Sequence, residues 1–197
     1  MFAAAGYSAG EDEGCAHVDP GVMLLLDRLA DIPAHSVGSI GEVLWQTPAS
    51  TSLVGDLTRH RGRARSGYYR WFFDARERER YAPSDHRAIG VEIAADLRRA
   101  QSGAHASRSV EGLIETLLTR SVEFAALWRS DEPRDGPFTI EPRRFIHPAL
   151  GPLELQREIL TVTDRSQRVV IYYAIPGSAD DTTLQLLSVI GHHRFES

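Results

Sequence analysis

The chain has 197 residues, 42% of them hydrophobic, which is enough to bury one sizeable core and too few for two well-filled domains. A net charge of −5 and a pI near 5.9 provide no global field for a phosphate backbone, so nucleic-acid contact would need a local patch. A single cysteine, Cys15, excludes an internal disulfide and a multi-cysteine zinc site, and the absence of lysine removes Schiff-base chemistry and the P-loop cation.

No signal sequence and no apolar run of membrane-spanning length is present, so a cytoplasmic protein without a membrane partner is expected. Residues 1–18 are small, polar and acidic, and are expected to form a disordered tail before one domain over residues 19–197. "GYSAG", Gly6 to Gly10, matches the letters of a nucleophile elbow but has neither the strand before it nor the helix after it that the strained turn requires.

Asp19-Pro20 reads as a helix N-cap followed by proline at the first helical position, with Val22, Leu25, Leu26 and Leu29 as the apolar stripe and Pro33 as the stop. Ala34 to Val37 and Glu42 to Gln46, joined by "GSIG", read as a hairpin. A helical middle follows. Ser84 is expected to cap a helix with Ile89, Ile93 and Leu97 on one face, ending at Gly103. Val110, Leu113, Ile114, Leu117 and Leu118 mark another helix, and Ser121 caps "VEFAALWR".

After Pro133 the period becomes alternating. Phe138 and Ile140 begin one expected strand, Leu153, Leu155 and Ile159 define a second, and Val169 to Ile175 a third that is apolar on both faces and therefore central. Ser178, with Asp181 three residues on, opens a last helix carrying Leu184, Leu187 and Ile190 and closing at Gly191. The expected class is α+β: an antiparallel, PAS-like sheet of about five strands in the order ββ, helices, βββ, covered by helices and flanked by an N-terminal and a C-terminal helix.

Several stretches in order carry a family resemblance: "LLDRLADIPAHSV", "GEVLWQT", "RSGYYRWFFDARERERY", "LLTRSVEFAALW", "RFIHPALGPLEL", "VVIYYAIPGS" and "LQLLSVIGHHRF". Together they resemble the ligand-binding domain of MmyB-like transcription regulators, XRE-type helix-turn-helix proteins abundant in actinobacteria. The resemblance implies a PAS-like sensor for a small apolar effector such as a fatty acid, with DNA read only through a helix-turn-helix domain that this chain does not contain. Two positions depart from the family pattern: Thr47 stands where an Asn follows "VLxQ", and Val122 where a proline opens the "SPEF" helix.

The candidate pocket walls are aromatic. Trp45, Tyr69, Phe72, Phe124, Trp128 and Tyr173 supply more large apolar surface than a turn region needs, and Phe124 and Trp128 share a helical face. For any one of them ordinary core is the competing reading. His147 of "HPALG" has no orienting partner in sequence and reads as the end of a strand before a Pro-Gly turn. "RHRGRAR", Arg59 to Arg65, reads as a solvated loop, with an acidic headgroup or phosphate as the alternative. His192-His193 lacks metal-pair spacing, and no catalytic set, metal or cofactor is assigned. A dimerisation module whose cavity is only core and a haem-type PAS sensor using a histidine are the alternatives to a small-molecule sensor.

Overall fold

The computed structural model describes residues 18–102, 107–130, 142–162 and 167–193, with side chains to residue 187. Residues 1–17 of the expected tail 1–18, with its "GYSAG", and the strand start at Phe138 and Ile140 lie outside the described residues, whereas Val18 is buried in the cluster of the first helix.

Helix α1 (Pro20–Arg28) starts as its sequence dictates: Asp19 Oδ1 accepts from the amides of Gly21 and Val22 at 2.8 and 3.2 Å, and Pro20 needs no amide partner. Val22 and Leu26 are buried, whereas Leu25 of the expected stripe is exposed, because a single short helix on a sheet buries only a narrow face. Strands β1 (Ala34–Val37) and β2 (Val43–Gln46) form the expected antiparallel hairpin.

Thr47 then does the work of a cap. Its Oγ1 accepts from Ser50 N at 3.1 Å and from Ala34 N at 3.0 Å, and donates to Ile32 O at 2.8 Å, joining α2 (Pro48–Val54) to β1. The aromatic run is itself a helix, α3 (Gly67–Phe73), capped by Ser66 and followed by α4 (Ala75–Glu79). A 3₁₀ turn over Pro83–Asp85 precedes α5 (His86–Ser102), so Ser84 sits inside that turn and does not cap the helix. Helices α6 (Arg108–Arg120) and α7 (Val122–Arg129) follow, the latter capped by Ser121 through Phe124 N at 3.1 Å. Val122 occupies the first turn at 90% exposure, a site where proline would fit equally well.

Strands β3 (Arg143–His147), β4 (Gly151–Thr161) and β5 (Arg168–Tyr173) complete a five-stranded antiparallel sheet of order β2-β1-β5-β4-β3, and α8 (Ala179–His193) closes the chain. The doubly apolar strand β5 is central, between β1 and β4. This is the α+β, PAS-like arrangement expected.

Period-two alternation divides the sheet into two faces. On the outer face Ala34 and Val169 meet Val22 and Leu26 of α1. On the inner face Phe145, Leu153, Leu155 and Tyr172 pack with Leu53 of α2 and Leu187 of α8. A separate helical cluster joins Trp71 of α3 to Ile89, Ile93 and Leu97 of α5, Leu117 of α6 and Phe124 of α7. The site described next lies where that helical layer meets the inner face.

Candidate functional site

A cavity of about 160 Å³ lies between the inner face of the sheet and the layer of α3, α4 and α5. Helix α5 turns Ile89, Glu92, Ile93 and Asp96 toward it, the i, i+3, i+4, i+7 spacing of one helical face. Helix α3 contributes Tyr68 and Trp71, also three apart, and the loop after α4 contributes Tyr81. The sheet supplies Val37, Val170, Tyr172 and Ile159, together with three inward arginines: Arg143 on β3, Arg157 on β4 and Arg168 on β5.

Two carboxylates of α5 meet those arginines. Glu92 accepts from Arg157 Nη1 at 2.8 Å and Nη2 at 3.1 Å, and from Arg143 Nη2 at 2.6 Å. Asp96 accepts from Arg168 Nη1 at 2.7 Å and from the Tyr68 hydroxyl at 2.6 Å, and that hydroxyl accepts in turn from Arg168 Nη2 at 2.7 Å. Burial alone would raise both carboxyl pKa values. Arg157 and Arg143 outweigh it at Glu92, and Arg168 with Tyr68 at Asp96, so both carboxyls are held below their ordinary range. At the α4 end, Glu77 accepts from Arg70 Nε at 2.8 Å and Arg80 Nη1 at 3.0 Å.

His35, also on the wall, is 8% exposed and lies 3.2 Å from Ser50 Oγ through Nδ1; burial lowers its pKa to about 4 and keeps the ring neutral. Burial likewise pushes the phenols of Tyr81 and Tyr172 above their ordinary value. Neither hydroxyl has a hydrogen-bond partner among the described residues.

The cavity edge needs glycine. Gly67 N donates to Gly41 O at 3.0 Å and the Ser66 hydroxyl to Ile40 O at 2.6 Å, tying α3 to the β1–β2 turn. Gly41 has φ of 70°, and a Cβ there would meet the Tyr68 ring at 2.6 Å.

None of the six aromatic residues expected from sequence is among those lining this cavity. Four of them come together behind it: Tyr69 lies tilted against Phe73 at 4.6 Å, Phe72 meets Phe124 edge-on at 5.2 Å, and Phe124 lies 5.3 Å from Trp128. The other two are on the far face of the sheet, Trp45 beside the α1 cluster and Tyr173 at 37% exposure. The physical cause is register. A step of one residue rotates a helical side chain by about 100° and flips a strand side chain to the other face, so the cavity receives Tyr68, Trp71 and Tyr172. A usable signal existed in sequence: arginines at Arg143, Arg157 and Arg168 occupy inward positions among apolar residues, and α5 places two carboxylates four apart on its apolar stripe.

His147 ends β3 and serves the turn. Its Nδ1 accepts from Ala149 N and Leu150 N, both at 3.2 Å, which leaves Nε2 to donate to Ser52 O at 3.1 Å. Arg59, Arg61, Arg63 and Arg65 are exposed as a solvated stretch should be, but Gly62–Arg65 is a 3₁₀ turn and not a loop. Among the described residues no group of three or more His, Cys, Asp or Glu side chains could hold a metal ion, and no helix is long and apolar enough to cross a membrane.

No curated protein matches the sequence. The sequence model of the MmyB-like transcription regulator ligand binding domain matches residues 18–187, which takes in every strand and all of α1 to α7. The chain therefore belongs to the MmyB-like family of transcription-regulator ligand-binding domains, a non-enzymatic family whose members answer to a small-molecule effector.

Proposed function

We propose that this domain senses a compact small molecule held in the cavity between the inner sheet face and α3, α4 and α5. The observation that carries the reading is the cavity itself: about 160 Å³, walled by Tyr68, Trp71, Tyr81 and Tyr172 and by inward arginines. A space of this size matches a benzene-sized guest, so a ring or a short chain is the effector body to test first. A fatty acid, the effector class suggested by the family resemblance, has the required apolar body, and short acids are the first to try. The division into a tail and one sensor domain over residues 19–197 belongs to the same reading, as does a role in bacterial transcription, with DNA contact made by a separate helix-turn-helix domain.

For site residues we propose the cavity set in place of Trp45, Tyr69, Phe72, Phe124, Trp128 and Tyr173, which support the layer behind it or lie on the far face. The test is extraction of the purified protein followed by mass spectrometry, with the recovered compound added back in a thermal melt. A ligand that binds only the folded state raises stability by about 2.7 kcal/mol at a hundredfold excess over its Kd. No recovered compound and no melting shift from any small organic molecule would remove the reading.

Homodimerisation is a second reading with its own observation. Met23, Leu24 and Leu25 of α1 are 40%, 63% and 42% exposed, more apolar surface than one helix of a monomer needs to show. Light scattering over a concentration series separates monomer from dimer.

A further inference from the structure

The ion cluster on the cavity wall is built unequally. Arg157 and Arg143 stand on adjacent hydrogen-bonded strands, and their side chains are only 10% and 8% exposed. Their shared partner Glu92 is 39% exposed and hangs from α5 at the cavity rim. The cations are desolvated, whereas the anion is partly in contact with solvent. A guanidinium fork accepts any carboxylate that presents two oxygens, and its grip on Glu92 uses no feature special to that side chain. Two buried arginines without an anion would be strongly destabilising, so Glu92 leaves only when another anion takes its place. Beside them the Tyr81 and Tyr172 hydroxyls line the cavity without a hydrogen-bond partner among the described residues, two donors free for an incoming oxygen.

We propose that Glu92 occupies the acid-binding position of the cavity, and that an effector bearing a carboxylate displaces it from Arg157 and Arg143 and so frees one turn of α5 from the sheet. The proposal rests on the reading that the effector sits in this cavity. Asp96 stays on Arg168 one turn further along, so the release is confined to the stretch around Glu92. Ile89 and Ile93 in that stretch pack into the helical cluster with Leu117 of α6 and Phe124 of α7, which gives the displaced turn a route to the rest of the helical layer.

The test uses the whole chain and two matched probe pairs, benzoate against benzamide and hexanoate against hexanamide, by calorimetry and thermal melts at physiological salt. Each acid should bind at least tenfold more tightly than its amide. Glu92→Gln should tighten the acids by about another tenfold and leave the amides unchanged, and Arg157→Gln should abolish the preference. Acid and amide of equal affinity in the wild-type protein would overturn the acid position while leaving the cavity reading standing. If none of the four probes shifts the melting curve, the acid position falls, and the cavity reading is decided separately by extraction and melting with the recovered compound. Should Glu92→Gln fail to fold, amide hydrogen exchange on the wild-type protein decides: saturating benzoate should speed exchange around residues 89–93 and benzamide should not, and slowed or unchanged exchange with benzoate bound would overturn the displacement.

Discussion

Tyr172 and Tyr173 are consecutive on β5 and face opposite sides of the sheet: Tyr172 is 7% exposed, 5.0 Å from the Phe145 ring and on the cavity wall, while Tyr173 is 37% exposed on the outer face. Tyr173→Ser should therefore change stability by no more than about 0.5 kcal/mol. Tyr172→Ala should cost about 3–5 kcal/mol. Tyr172→Phe keeps the ring and removes only a hydroxyl that has no partner among the described residues, so stability should hold while ligand affinity changes. Urea titration of the three variants, with and without an extracted ligand, checks the set.

Phe124 and Trp128 lie on one face of α7 and differ in what surrounds them. Phe124 is fully buried, and Phe124→Ala should cost about 3–5 kcal/mol. Trp128 is half-buried, with the Arg98 guanidinium 4.9 Å over its ring. Trp128→Ala should cost less, about 1–3 kcal/mol, and should leave the melting shift given by a bound ligand intact, since the ring is outside the cavity lining. Loss of ligand response in a folded Trp128→Ala protein would place this ring in the site after all.

His35 should make the domain acid-sensitive before its carboxylates do. Burial lowers its folded pKa to about 4, against about 6.5 in the unfolded chain, so between those values the unfolded state binds the extra proton. Stability therefore rises with pH across this window and falls as pH drops from about 6.5 to about 4, by up to about 3 kcal/mol. Below that range Glu92, Asp96 and Asp85, all held below ordinary carboxyl values, add further losses as they protonate. Urea midpoints measured from pH 7.5 to 4.5 should fall less steeply for His35→Gln than for the wild type; parallel curves would show that His35 does not set the slope.

Thr47→Val removes one hydroxyl and strands three backbone groups, Ala34 N, Ser50 N and Ile32 O, at a fully buried position. The expected loss is about 2–4 kcal/mol. Thr47→Ser should retain most of the stability, because the hydroxyl and not the methyl carries the contacts. Equal loss in both variants, read from thermal melts, would assign the effect to packing.

Local signals determined most of the fold. Asp19-Pro20 and Ser121 announce helix starts because a cap is made within three residues of its helix, and the structure shows both. The apolar pattern of Val169 to Tyr173 makes β5 central, since a strand apolar on both faces needs cover on both. His147 was legible as a turn residue from the Pro-Gly sequence that follows it, and the hydrogen bonds from Ala149 and Leu150 are local as well. The family pattern, spread in order along the chain, required no contacts at all to be read.

The cavity was a different matter. Which face of "GYYRWFF" meets the sheet depends on how α3 is anchored through Ser66 and Gly67 to Ile40 and Gly41, residues more than twenty positions away. Aromatic side chains look alike to a pattern that counts apolar surface, and a one-residue step decides between Tyr68 in the cavity and Tyr69 against Phe73. Arg143, Arg157 and Glu92 each stand at an inward position of their own element, but with 51 and 65 residues between them the sequence does not mark which arginine meets which carboxylate. Only when β3 and β4 pair in register beneath α5 do the two arginines leave water side by side and meet Glu92 at the rim, and that long-range packing makes them a site instead of a surface.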